Sequence, residues 1–150
     1  MLATMSKSTR AYHMLTLMGA LPFIVGSLCL ATGIDKSPII GSIHSVLIIY
    51  GCAVGSFIAG THWGLSLGSP HQNLLTPLTS VILTLSLVAA ALLAHFATAM
   101  LWYSLIIACL VVMDQVFFIR QQISLDYLKI RLYTTAVVMA SLCIAGFTYG

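Results

Sequence analysis

Residues 103–122 read YSLIIACLVVMDQVFFIRQQ, an apolar run that holds one carboxylate, Asp114, before it ends in an arginine and two glutamines. Extended back to Thr98, the run reaches Ile119 and is long enough to cross a hydrocarbon core of ~30 Å, which takes about 20 helical residues. Four similar runs accompany it, and together they predict helices at about 12–32, 39–64, 74–95, 98–119 and 131–149. Composition agrees. Of 150 residues, 60% are hydrophobic and 6% are charged, and the mean hydropathy is +1.07. Soluble domains carry roughly 25% charged residues, so this chain has too little charge to cover a globule. The fold class is an all-α integral membrane bundle of five transmembrane helices in a single domain.

The separators are short: GIDKSP after the first run, GSPHQN after the second, RQQISLDYLKIR before the fifth. Pro38, Pro70 and Pro77 fall at helix starts or between helices, and Pro22 lies inside the first run, where it is expected to kink the helix. That first run is too long for the apolar core of a cleaved leader and reads as a retained signal anchor. With the N-terminus inside, Lys7, Arg10, Arg120, Lys129 and Arg131 all fall inside, and Lys36 alone lies outside. The expected topology is N-in, C-out. A net charge of +3, scattered along the chain, gives no footprint for nucleic acid. The bilayer is the expected partner, with a larger membrane complex or a homo-oligomer beside it.

Asp114 is the main candidate site residue. A carboxylate at membrane depth costs ~2.5–3.5 kcal/mol on insertion scales and should face a partner inside the protein. Candidate partners are His62, Arg131, Arg10 and His13, with Gln121 on the same helical face seven residues on. The role of Asp114 stays open between a structural ion pair and a binding or proton-handling site. Asp126 reads as solvated in the loop before the fifth helix.

The second run ends GSFIAGTHWGLSLG, residues 55–68. Small residues let helix backbones approach closely in lipid, which makes Gly51, Gly55, Gly60 and Gly64 candidate packing positions. At 100° per residue, His44, Gly51, Gly55 and His62 share one face. That face is expected to point inward, with Leu47, Ile49, Val54, Ile58 and Leu65 toward lipid, making this helix the central element of the bundle. His62 and Trp63 also fit an interfacial pair, since tryptophan is enriched at headgroup level.

His44 and His95 fall toward the outer leaflet, while His13, His62 and His71 lie near the inner one. The first pair could in principle hold haem, but no ligand motif supports haem or a metal, and no cofactor is expected. Cys29, Cys52, Cys109 and Cys143 sit singly in separate runs as packing residues. No nucleophile motif, phosphate loop or paired carboxylates suggest catalysis. Tyr127, Lys129 and Arg131 read as headgroup anchors of the fifth helix, or Arg131 reaches in to meet Asp114.

Three elements coincide: FIAGTHWGLSLG at 57–68, the aspartate in helix four, and DYLKIRLYTT at 126–135. From about Ala20 to Leu142 the chain resembles a family of small polytopic inner-membrane proteins of unknown function that includes the mitochondrial transmembrane protein 69 of animals. The HWG element is the most specific part of the likeness; many relatives carry an arginine where His62 stands. The family element Tyr-Leu-x-x-Arg-x-x-Leu-Thr is matched by Tyr127, Leu128, Arg131 and Thr134, with Thr135 as the alternative. The resemblance implies topology and a location in the bacterial inner membrane, or the mitochondrial one in a eukaryote. It implies no activity, and it disfavours a metal ligand at position 62. Three functions remain: first, a non-enzymatic accessory or assembly protein; second, a binder of a quinone or lipid, with Trp63, Tyr103, Asp114 and Arg131 lining a lateral pocket; third, a proton-linked solute transporter using Asp114 and His62.

Overall fold

The computed structural model describes residues 14–68 and 74–149. Five helical segments in it are long and apolar enough to cross a membrane: Met14–Ala31, Ile43–Leu67, Leu75–Leu93, Phe96–Ile119 and Leu125–Thr148. Lipid offers the backbone no hydrogen bonds, so helices that satisfy their own amides are the natural answer to these apolar runs. The chain is a multi-pass membrane protein.

The first span is interrupted as its proline requires. Helix α1, Leu21–Ala31, carries Pro22 in its first turn and follows a break at Gly19 and Ala20. At the break the Gly19 carbonyl accepts a hydrogen bond from the Tyr50 hydroxyl at 2.9 Å, so a side chain of the next helix serves the interrupted ladder.

A small ribbon links α1 to α2. Strand β1, Lys36–Ser37, pairs antiparallel with β2, Gly41–Ser42, placing Lys36 opposite Ser42. Pro38 and the left-handed Gly41, φ 76°, favour a turn, so α2 begins at Ile43 rather than near residue 39 and Ile39 is exposed. Helices α3, Leu75–Leu93, and α4, Phe96–Ile119, follow the expected runs closely. Pro77 sits in the first turn of α3, where a missing N–H costs least. The loop around Pro70 lies outside the described residues.

Helix α5, Leu125–Thr148, starts well before the expected residue 131. Ser124 is its N-cap, its hydroxyl accepting from the Tyr127 amide at 3.3 Å, and Asp126 adds an acid to the first turn. Asp126 is exposed, as expected, but on a helix rather than in a loop.

Helix α2 packs against α1, α3 and α4, while α5 packs against α4 and α1. The buried stripe of α2 is Ile43, Leu47, Gly51, Gly55, Ile58, Ala59, His62 and Ser66. Leu47 and Ile58 therefore face inward, contrary to the lipid face expected for them. Leu47 stands one turn before Gly51 and Ile58 one turn before His62, so helical geometry puts both on the glycine face. Ile49 does face outward. The helix with the largest buried face is α4, from Ala99 to Phe117, rather than α2.

The missing side chains of α2 have specific occupants. A Cβ on Gly51 would lie 2.6 Å from Cδ2 of Tyr103, and one on Gly55 would overlap Leu87 Cδ1. The Tyr103 ring, fully buried, uses that space to bring its hydroxyl within 3.3 Å of the Ile48 carbonyl and 3.4 Å of the Leu87 carbonyl. Gly60 and Gly64 differ: nothing lies within 4 Å of either added Cβ, and both are exposed. Gly51→Ala and Gly55→Ala should each destabilise the protein by about 1–3 kcal/mol through overpacking. Gly60→Ala should instead be neutral or stabilise by up to about 1 kcal/mol, the helix-propensity gain. Thermal unfolding of the detergent-solubilised variants checks both expectations.

Candidate functional site

Three helices each bring one polar side chain to the same depth. His62 and Asp114 lie about one and a half turns before the ends of α2 and α4, and Arg131 lies a similar distance after the start of α5. His62 follows from the glycine stripe of α2. Asp114 continues the buried face of α4 that includes Tyr103, Ile107 and Leu110. Arg131 reaches this depth only because α5 begins at Leu125. Residues 62, 114 and 131 are far apart in the chain, and only the antiparallel stacking of the spans brings them together.

Asp114 is the hub. Its Oδ1 meets His62 Nε2 at 2.7 Å, and its Oδ2 accepts from Arg131 Nε at 3.1 Å. Both Asp114 and His62 are 0% exposed, and the Arg131 side chain is 13% exposed. An ionised carboxylate has only acceptors, so Nε2 is the ring's donor nitrogen in this pair. Phe117, one turn beyond Asp114, stacks on the His62 imidazole with centroids 5.4 Å apart and planes 26° from parallel. The ring is thus fixed by a hydrogen bond at its edge and by an aromatic face.

The cluster is not saturated. His62 Nδ1, Arg131 Nη2 and Thr134 Oγ1 are buried without partners, as is Gln122 Oε1. Thr134 lies one turn beyond Arg131 on the same face of α5. Sequence reasoning overlooked Phe117 and Gln122, and it named Thr134 only as part of the family element, not as a neighbour of the site. The signal for Phe117 and Thr134 was available, since each stands three residues beyond a cluster member. Gln122 had no such signal, because its burial depends on a turn. Gln121, expected to share the face of Asp114, instead sits exposed just past the end of α4 with φ 57°.

The remaining sequence candidates lie elsewhere. Trp63 is 43% exposed and lines a groove of about 260 Å³ between α2 and α3, with Ser56, Gly60, Ser80 and Thr84. Tyr103 is enclosed in the core beside Gly51. The four residues expected around a lateral pocket therefore do not share one. Tyr127 stands one turn before Arg131 and faces a separate cleft. At the opposite end of the bundle, His44 meets Phe96 and Tyr149 edge-on, with centroids at 4.5 and 4.4 Å. His95 is exposed just before α4, as its N-cap. Arg10, His13 and His71 lie outside the described residues. Among the described residues, no group of three or more His, Cys, Asp or Glu side chains is placed to hold a metal ion.

The chain belongs to the DUF3429 family of proteins of unknown function, whose family model matches residues 8–147. Comparison with curated proteins and with solved structures gave no match.

Removing one member of a buried ion pair leaves the other uncompensated, at a typical cost of about 3–5 kcal/mol. Asp114→Ala and Arg131→Ala should each lose that much in thermal or denaturant unfolding, and His62→Ala should lose less. The double variant His62→Ala/Asp114→Ala should fall short of the sum of the two single losses, because both report on one shared contact.

Proposed function

We propose that this protein is a non-enzymatic accessory or assembly factor of the inner membrane, bacterial or mitochondrial according to source. The supporting observation is that Asp114 is closed off, with each carboxylate oxygen engaged by a different helix. A proton-linked carrier needs its acid to reach one side or the other, and Asp114 is 0% exposed. A catalytic acid or base needs a substrate within hydrogen-bond reach, and both oxygens are already committed. The cluster is instead suited to fixing three helices in one arrangement, so that the outer faces of α2 and α3 present a defined surface to neighbours in a larger complex or to a second copy. The topology that goes with this role is N-in, C-out, supported by the positive-inside distribution of lysine and arginine.

Purification in mild detergent should recover the protein with stoichiometric membrane partners or as a defined homo-oligomer. Asp114→Asn should lower the melting temperature and the recovery of that assembly together. Solute-coupled proton flux from the pure protein in vesicles would overturn the reading. For the topology, a cysteine introduced at Arg120 should react with an impermeant maleimide only from the cytoplasmic (or matrix) side. One introduced at Lys36 should react only from the opposite side.

A further inference from the structure

At the end of the bundle that holds the polar cluster, a cleft of about 680 Å³ opens between the end of α2 and the turn joining α4 to α5. Thr61, Gly64 and Gly68 contribute one wall, and Gln122, Ile123 and Tyr127 the other. The volume falls within the roughly 300–1,000 Å³ of ordinary ligand sites. Gly68 closes α2, and Gln122 lies between α4 and α5, so the opening lies at headgroup depth rather than among acyl chains. A bilayer supplies an amphiphile there at all times.

Three features define which amphiphile. The Gln122 amide lines the cleft, and its Oε1 has no partner in the protein. The terminal torsion of glutamine is broad and roughly two-fold, so a half-turn offers either the acceptor or the amide N–H to an occupant. Tyr127, 36% exposed on the same wall, adds a phenol. Among the described residues, Arg120 and Lys129, each two positions along the chain from a lining residue, are exposed at this end against Asp126, a balance that favours an anionic headgroup. Between Thr61 and Leu65 on the opposite wall, Gly64 leaves open space, since an added Cβ would meet nothing within 4 Å. The space is open toward the membrane and is not a seam between helices.

We infer that this cleft binds one anionic phospholipid whose headgroup also carries hydroxyls. Its phosphate is drawn by the surrounding positive charge, and its hydroxyls are held by Gln122 and Tyr127. The inference is independent of the accessory role.

The test is native mass spectrometry of the full chain in detergent, titrated separately with phosphatidylglycerol, phosphatidylcholine and phosphatidate. One phosphatidylglycerol should be retained about tenfold more tightly than either other lipid. Gly64→Trp, which fills the cleft, and Gln122→Leu, which removes the amide, should each abolish that preference, with melting in phosphatidylcholine unchanged. Should Gly64→Trp fail to fold, Gln122→Leu decides alone. Equal retention of all three lipids, or an undiminished preference in Gln122→Leu, would overturn the site. Equal binding of phosphatidate would overturn the role of the hydroxyls. Displacement of the lipid by millimolar free glycerol phosphate would overturn its assignment to a membrane lipid.

Discussion

Asp114 joins two helices that do not otherwise pack along their lengths. Helix α2 packs on α1, α3 and α4, and α5 packs on α4 and α1, so between α2 and α5 the main link is His62, one carboxylate and Arg131. In water such a link would be weak, since exposed ion pairs contribute about 0–1 kcal/mol. Here the acid is fully enclosed, and the alternative to pairing is a bare carboxylate at membrane depth. That alternative is costly enough to fix the rotation of all three helices. The rotation of α2 that aims His62 inward also aims Gly51 and Gly55 inward, because all three lie on one stripe.

The glycines and the acid therefore serve one arrangement. Between helices in lipid there is little hydrophobic drive, and close contact must come from fit. Gly51 admits the Tyr103 ring and Gly55 admits Leu87, which draws α4 and α3 onto α2. That close approach of α2 and α4 is what allows His62 to reach Asp114 at 2.7 Å. A side chain at Gly51 would push α2 and α4 apart and lengthen the hydrogen bond three turns away, whereas one at Gly55 would push α3 off α2. The exposed glycines, Gly60 and Gly64, have no such neighbour, so a shared GxxxG spacing covers two physically different situations within one helix.

The number of spans, the kink at Pro22 and the burial of Asp114 were legible in the sequence because each follows from a local rule about apolar length, proline or charge in lipid. His62 and Arg131 were legible as partners because few polar groups exist at that depth. The lipid face of α2 was misread at Leu47 and Ile58, although their spacing from Gly51 and His62 placed them inward. The start of α5 was misjudged because Asp126 and Lys129 break the apolar run. The Ser124 cap, not hydropathy, decides where that helix begins. The separation of Trp63 and Tyr103 from the cluster depends on how neighbouring helices rotate, which no single segment encodes.

The two ends of the bundle are held by different physics. At one end His44, Phe96 and Tyr149 meet through ring edges, contacts of about 0.5–1.5 kcal/mol each that tolerate sliding. At the other, directional hydrogen bonds to one buried carboxylate fix α2, α4 and α5 together. Motions of the helices should thus be smallest where the Asp114 cluster lies and grow toward the aromatic end. The cleft beside Gln122 and Tyr127 lies at the fixed end, where the cluster holds the helices that carry its walls. A site whose walls need no ordering keeps more of its contact energy as affinity. In this way an acid that lines no part of the cleft would still determine how firmly an occupant is held there.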